Sequence, residues 1–375
     1  MKNQNLVFLS AVCLCFFFIF NHPAKTAVFP DTDWQTASPE KCGLDSVKLQ
    51  KAVQYLEQEA GRDGVKELFI VRDGYVIWQG DNVDKIHGVW SLTKSFTSTM
   101  LGLLVDAKKC EITDLAHQFL PALEQHYSQV NLRHFATMTS GYRAIGDEPR
   151  GSYRHGPSQT PFLPSPQPLF APGKAFAYWD SAMNEFAHVL TIIAGEPLDS
   201  LFYRTIAKPI GMQKSDWQWQ ALEAPDGLRV NGGAGNLGKG MYINAKTLAR
   251  FGYLFLNQGN WNGKQLLSKR WIEQATSVQV PSDLPLRGFV DHGPGTYGLN
   301  WWVNGVHPSG EQNWPDAPHS MYAASGYNNN DMLVIPEWRM VIVRLGLDQE
   351  DVTLTNQVYG QFIKMVGDSI LDVSK

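Results

Sequence analysis

The chain reads as an α/β (α+β) protein of two lobes. An antiparallel sheet drawn from both chain ends is flanked by helices, and a helical lobe is inserted between its halves. Three observations predict this. Near the start, Glu67-Leu-Phe-Ile-Val-Arg72 and Tyr75-Val-Ile-Trp-Gln79 flank Asp73-Gly74, a dipeptide suited to a two-residue hairpin. Near the end, Asp331–Pro336 and Arg339–Arg344 flank a turn at Glu337-Trp338. Between the hairpins the chain is mostly helix-compatible. The α/β lobe therefore takes about residues 43–90 and 290–375, and the helical lobe about 91–289.

Residues 1–27 read as a signal peptide or an N-terminal anchor. Lys2 precedes Leu6–Phe20, fifteen residues with only Ser10 polar, the length of a signal-peptide core and short for a spanning helix. The cleavage site is poor, because cutting after Ala27 puts Lys25 at the −3 position. The expectation is export to a periplasmic or extracellular space, with membrane association if the segment is retained. Cys13 is a weak lipidation site, since Val12 precedes it. Without this segment Cys42 and Cys110 remain, either paired or as two isolated buried thiols.

Along the remaining chain, Leu44–Ala60 has helical spacing at Leu44, Val47, Leu49, Val53 and Leu56. A long irregular stretch, Asp147–Pro172, is rich in Pro, Ser, Gly and His, and such a loop in a compact domain is usually functional or mobile. An amphipathic helix at about Thr355–Leu371 closes the chain. The 375 residues allow a large core. With 18% charged residues and a net charge of −4, nothing suggests nucleic-acid binding. No metal site is expected, because no C-x-x-C or H-E-x-x-H spacing occurs.

The most informative motif is Ser91-Leu92-Thr93-Lys94 at the start of a long apolar run through Lys109. Residues three apart on a helix share a face, so the Ser91 hydroxyl and the Lys94 amine can meet. The helix start adds unpaired N–H groups and positive potential beside a developing oxyanion. That suits a serine nucleophile. Ser38-Pro39-Glu40-Lys41 has the same spacing, but Cys42-Gly43 follows instead of an apolar run, so Ser38 reads as a turn or cap. Of the ten histidines, His87, His134, His155, His292 and His319 lack triad-like local context, and His134 reads as structural.

Further motifs follow in order across residues 40–365. They are Leu132-Arg-His-Phe-Ala-Thr-Met-Thr-Ser-Gly141, Pro172-Gly173-x-x-Phe176-x-Tyr178, Gly238–Gly252 and Asn257-Gln-Gly-Asn-Trp-Asn-Gly263. The last is Ala324-Ser-Gly-Tyr-Asn-Asn-Asn-Asp-Met-Leu-Val-Ile-Pro-Glu337. In this order the chain resembles the serine β-lactamase/penicillin-recognising superfamily, in the branch with class C β-lactamases, carboxylesterases and 6-aminohexanoate-dimer hydrolase. The resemblance implies the β-lactamase/transpeptidase-like fold, a cofactor-free acyl-enzyme mechanism, and a small ester, amide or peptide substrate. It makes Ser91 the nucleophile. Lys94 takes its proton, as a neutral base or by holding a neighbouring phenolate, and Tyr178 is the second-motif tyrosine. The N–H groups of Ser91 and Tyr327 form the oxyanion hole by the family pattern. Asp180, Ser325, Gly326 and Asn328 are the expected substrate-binding positions, and Tyr142, Asn329 and Trp302 are further candidates for the pocket wall.

Two departures bear on substrate. The second motif is Tyr178-Trp179-Asp180, with Asp where the family usually has Asn, and a carboxylate cannot donate as an amide does. Asp180 either weakens recognition of substrate amides or pairs with Lys94 and favours Tyr178 as the base. The third motif is Ala324-Ser325-Gly326, without the usual Lys or His that would hold a substrate carboxylate. Arg150 and Arg154 are the alternative cations. The reading is an exported esterase or linear-amide hydrolase. The alternatives are a β-lactamase or D,D-peptidase, or a catalytically weak wall-binding relative.

Overall fold

The structure is a computed structural model describing residues 27–147, 154–288, 290, 292–348 and 354–371. The expected export segment before residue 27, and Arg150, lie outside the described residues. From the N-terminus, β1 (Gln35–Thr36) leads to α1 (Ser46–Glu59), then to the hairpin β2 (Glu67–Arg72) and β3 (Tyr75–Gln79), and to β4 (His87–Gly88). The helical part holds α2 (Thr93–Asp106), α3 (Glu124–Tyr127), α4 (Leu132–Ala136), α5 (Asp180–Ala194) and α6 (Leu198–Phe202). Short strands β5 (Trp217–Trp219), β6 (Ala221–Glu223), β7 (Arg229–Asn231) and β8 (Met241–Ile243) precede α7 (Ala245–Leu256). Then come β9 (Asn260–Trp261), β10 (Lys264–Gln265) and α8 (Lys269–Ala275). The chain finishes with β11 (Trp302–Val303), β12 (Tyr322–Gly326), β13 (Asn330–Ile335), β14 (Met340–Leu345) and α9 (Asn356–Asp368).

The predicted sheet from both chain ends is present, in the order β1-β3-β2-β14-β13-β12-β11 among the described residues, antiparallel except where β1 runs parallel to β3. Its seam is β2 against β14, where Ile70 faces Ile342. Asp73 and Gly74 both have left-handed backbone, at φ 55° and 88°, as a tight primed turn requires. The Asp73 N–H also donates to the Arg339 carbonyl at 3.1 Å, so the turns of the two terminal hairpins touch.

Both sheet faces are covered, which explains why the strands read as apolar runs rather than alternating ones. Leu68, Ile70, Leu333 and Ile342 point to α1 and α9, with Leu49, Leu56, Phe362 and Ile363. Their neighbours Phe69, Val71, Met332 and Val341 point the other way, into a core shared with α2, α5 and α7. Helix α1 starts two residues after Leu44, capped by Asp45, whose side chain accepts from the Lys48 N–H. Its buried stripe is Leu49, Ala52, Val53 and Leu56. Val47, expected in that stripe, is 64% exposed. Two residues are more than half a turn of helix, so Val47 cannot share the face of Leu49.

The small sheet β4-β8-β5 was not foreseen. Runs of two or three residues are too short to carry a periodic signal. Cys42 and Cys110 are buried and not joined in a disulfide, and burial pushes the Cys110 thiol up to about 12. Among the described residues no helix is long and apolar enough to cross a membrane.

Helix α2 packs closely on α8 through Gly102, where an added Cβ would fall 2.4 Å from Trp271 Nε1. Gly102→Ala should therefore lose about 1–3 kcal/mol by overpacking, despite alanine's higher helix propensity. Urea unfolding followed by circular dichroism checks this; stability equal to or above the parent would show that Trp271 yields.

Candidate active site

Ser91 lies in a 3-10 turn, Trp90–Leu92, that runs directly into α2. The sequence reading placed it on the helix itself; the tighter turn precedes the helix by one step. Trp90 has φ 45°, a left-handed backbone rare for a non-glycine residue and worth about 1–3 kcal/mol of strain. Strand β8 holds this turn on two sides. The Val89 N–H donates to Met241 O at 3.0 Å, and the Met241 N–H donates to Thr93 Oγ1 at 2.9 Å. The first two turns of α2 are rich in Ser and Thr yet buried. Three of their hydroxyls donate to carbonyls, Ser95 to Asn300 O, Thr97 to Gly233 O and Thr99 to Ser95 O, whereas the buried Ser98 hydroxyl has no hydrogen bond among the described residues.

Lys94 is 1% exposed, and its amine reaches three oxygens. It lies 2.7 Å from Ser91 Oγ, 3.0 Å from the Ala234 carbonyl and 2.6 Å from Asp180 Oδ1. Burial pushes Asp180 up, but the Lys94 charge, helped by His155, outweighs it and holds the carboxyl well below its usual range. The structure thus pairs Asp180 with Lys94, one of the two alternatives the sequence left open. The loop that supplies Ala234 is itself fixed to α5, because Asn184 Oδ1 accepts the N–H groups of Gly233 and Ala234.

Tyr178 precedes α5 by two residues, with its ring centroid 4.5 Å from Lys94 Nζ. It stacks on Trp302 at 5.7 Å. Burial, and next the Asp180 charge, push its phenol far above the ordinary range, while the neighbouring Ser91 hydroxyl pulls weakly the other way. The adjacent Trp179 is tied down by its indole N–H, which donates to Asp147 Oδ2 at 2.8 Å. Asp147 also accepts the Ser158 N–H at 3.1 Å. The long loop is therefore anchored to the second motif.

The third motif lies on β12. Its neighbour β11 pairs only with Tyr322 and Ala323, so Ala324-Ser325-Gly326 extends past β11. Gly326 passes so close to the Ser91 turn that a Cβ would sit 2.1 Å from Val89 O. That close approach brings Tyr327 beside the turn, its ring edge-on to Trp90 at 5.9 Å. Ser325 pairs across the ladder with Asp331, whose carboxyl its side chain meets. Asn328 and Asn329 take left-handed backbone at the following turn. Buried Arg344 of β14 donates to both of their carbonyls, at 3.2 and 3.1 Å, which sets the turn's position.

These parts border one cleft of about 970 Å³. Ser91, Tyr178, Asp180, Ser325, Gly326, Tyr327, Asn328, Asn329 and Trp302 all line it. No lysine or arginine does so among the described residues, and Ala324 is buried with only a methyl group to offer. Arg154 is exposed and outside the lining. Tyr142 lies in the core, its hydroxyl donating to Pro161 O at 2.6 Å. His134 serves a capping box with Asn131 at the start of α4, a structural role. Ser38 accepts the Lys41 N–H at 3.4 Å, far from the cleft in a surface turn. Sequence reasoning gave no role to several cleft residues, His155 and Asn236 among them. His155 Nδ1 lies 3.5 Å from Asp180 Oδ2, and Asn236, bonded to Asn184, has an amide nitrogen with no hydrogen bond. Neither has a local motif; only the length of the Pro-rich loop hinted at the first.

The Asp180–Lys94 pair predicts an acid limb to stability. A carboxyl held low when folded, against 3.8 as its ordinary value, contributes stability above about pH 4 that is lost as pH falls through the folded value. Urea titrations between pH 7 and pH 2.5 should show a shallower acid loss in Asp180→Asn than in the parent. Parallel curves would remove Asp180 from this role. Separately, Gly326→Val should cut turnover at least about tenfold, because β12 must move off the Ser91 turn. Unchanged turnover would mean the contact is dispensable.

Comparison with known proteins agrees with this architecture. The Beta-lactamase family profile matches residues 49–351. The D-alanyl-D-alanine-carboxypeptidase/endopeptidase AmpH of Escherichia coli K12 is 29% identical over 154 residues, 37% of this chain and 39% of AmpH. A penicillin-binding protein homologue from Caulobacter crescentus has a similar fold at TM-score 0.66 and 14% identity, covering 90% of this chain and all of that one. A family VIII carboxylesterase superposes at TM-score 0.60 and 15% identity, over 86% of this chain and 97% of that one. With the profile spanning most of its length, the chain belongs to the Beta-lactamase family of serine hydrolases.

Proposed function

We propose that the protein is an exported hydrolase that cleaves an ester or a linear amide through an acyl-enzyme on Ser91. The observation that carries this is the Lys94 amine, 2.7 Å from Ser91 Oγ and paired with a carboxylate at 2.6 Å, buried behind the Ser91, Tyr178 and Asp180 lining of the cleft. A free serine hydroxyl is a poor nucleophile, and a positioned proton acceptor removes that limit. Lys94 is tied to Asp180, and the Tyr178 phenol is held neutral by burial. A relay satisfies both constraints. Tyr178 gives its proton toward the departing group, the Lys94 charge stabilises the phenolate this leaves, and the phenolate takes the Ser91 proton. The N–H groups of Ser91 and Tyr327 receive the oxyanion.

The cleft's lining supports an uncharged substrate end. A charge-assisted hydrogen bond to a substrate carboxylate contributes about 1.5–3 kcal/mol. Without that cation, β-lactams and D-alanyl peptides lose roughly ten- to a hundredfold in kcat/KM, while simple esters are spared. The likeness to a family VIII carboxylesterase fits this reading. A D,D-peptidase is the second reading, favoured by the similarity to AmpH. The N-terminal apolar run supports export, with the substrate met outside the cytoplasm.

A serine-directed phosphonate should label Ser91 stoichiometrically by intact mass and peptide mapping, in Ser38→Ala but not in Ser91→Ala. Labelling that survives Ser91→Ala would sink the assignment. Lys94→Ala and Tyr178→Phe should each lower kcat by roughly a hundredfold or more with the fold retained. Near-normal turnover in Tyr178→Phe would exclude the relay. Short-chain p-nitrophenyl esters should be turned over far better than a chromogenic cephalosporin or a D-Ala-D-Ala peptide, and the reverse order would select the second reading.

A further inference from the structure

In the second half of the reaction Tyr178 must protonate Ser91 Oγ as the leaving group, and a separate acceptor for the water proton leaves it free for that step. Hydrolysis of the acyl group needs a water deprotonated within the cleft. Tyr178 is held as a neutral phenol by burial and by Asp180, and Lys94 is committed to its ion pair. One other basic side chain meets the same carboxylate. Asp180 divides its oxygens, Oδ1 to Lys94 Nζ at 2.6 Å and Oδ2 to His155 Nδ1 at 3.5 Å. Only a carboxylate can accept from both; an amide at this position would have to turn its NH2 toward one of them.

His155 is attached to α5 through its backbone as well, its carbonyl accepting the Asp180 N–H at 2.8 Å. Nδ1 is shielded from solvent, yet the side chain is 30% exposed and lines the cleft, edge-on to Tyr178 at 6.1 Å. With the ring proton on Nδ1, facing the Asp180 charge, the lone pair lies on Nε2. That is the carboxylate–imidazole arrangement of a general base. The 3.5 Å separation is long for a hydrogen bond, as is common before substrate is bound.

We propose that His155, oriented by Asp180, is the general base that activates the deacylating water; this rests on the Ser91 acyl-enzyme reading. His155 Nε2 takes one proton from water as the water oxygen bonds to the acyl carbon. The tetrahedral intermediate then breaks its bond to Ser91 Oγ, which receives a proton from Tyr178. The carboxylic acid formed returns a proton to Tyr178 and leaves as a carboxylate, and His155 releases its proton to solvent.

The test separates acylation from deacylation in the full mature chain with p-nitrophenyl butyrate. In His155→Ala and His155→Gln, stopped-flow should show a burst of one equivalent of p-nitrophenol at the parent rate. Steady-state turnover should fall at least about tenfold. Butyryl-Ser91 should accumulate by intact mass, and added imidazole should restore turnover of His155→Ala. If burst and steady-state rates fall together, or no acyl-enzyme accumulates in the folded Gln variant, His155 is not the base. If the parent enzyme itself is never acylated at Ser91, the fault lies instead with the acyl-enzyme reading.

Discussion

The site depends on the burial of one ammonium group. Lys94 is almost wholly removed from water, and an isolated charge there would be prohibitively costly. Asp180, the Ala234 carbonyl and the Ser91 hydroxyl supply what water no longer can. These partners come from the start of α5, from the loop before β8 and from the turn before α2. Breaking such a pair from one side typically costs about 3–5 kcal/mol, because the other charge stays buried. The three segments are thus held in register by the same contact that places an amine on Ser91.

The sheet supplies the opposite wall. Its seam joins strands from the two ends of the chain, and that closure carries β12 across to the Ser91 turn. The approach is too close for any side chain at Gly326, so backbone meets backbone there. Behind it, Arg344 holds the Asn328-Asn329 turn by its carbonyls and pairs with Asp348 at 2.6 Å. Buried, over-determined polar contacts of this kind keep a catalytic wall within the narrow tolerance that proximity effects require.

Electrostatically, the cleft differs from one built to grip a carboxylate. Asp180 stands where an amide would be expected from the resemblance, and Ala324 where a cation would be. The first change converts a neutral contact into a carboxylate shared between Lys94 and His155. The second removes positive charge from the rim. Together they leave a buried carboxylate and a methyl group where the resemblance leads one to expect an amide and a cation, with no lysine or arginine lining the cleft among the described residues.

Much of this was legible in the chain. The Asp73-Gly74 hairpin, the apolar strands at both ends and the Ser91–Lys94 spacing are local signals, each set by backbone geometry over a few residues. Tyr178, Tyr327 and the third motif came from the order of motifs, since none has a local signature of its own. What the sequence determined, then, was the set of elements and one serine–lysine pair. Tertiary structure decided the rest: that Asp180 faces Lys94, that the loop returns His155 to the same carboxylate, and that Gly326 presses on the Ser91 turn. Those contacts join segments distant along the chain. They exist only once the sheet has closed and the helices have packed, so no local pattern of residues could encode them in readable form.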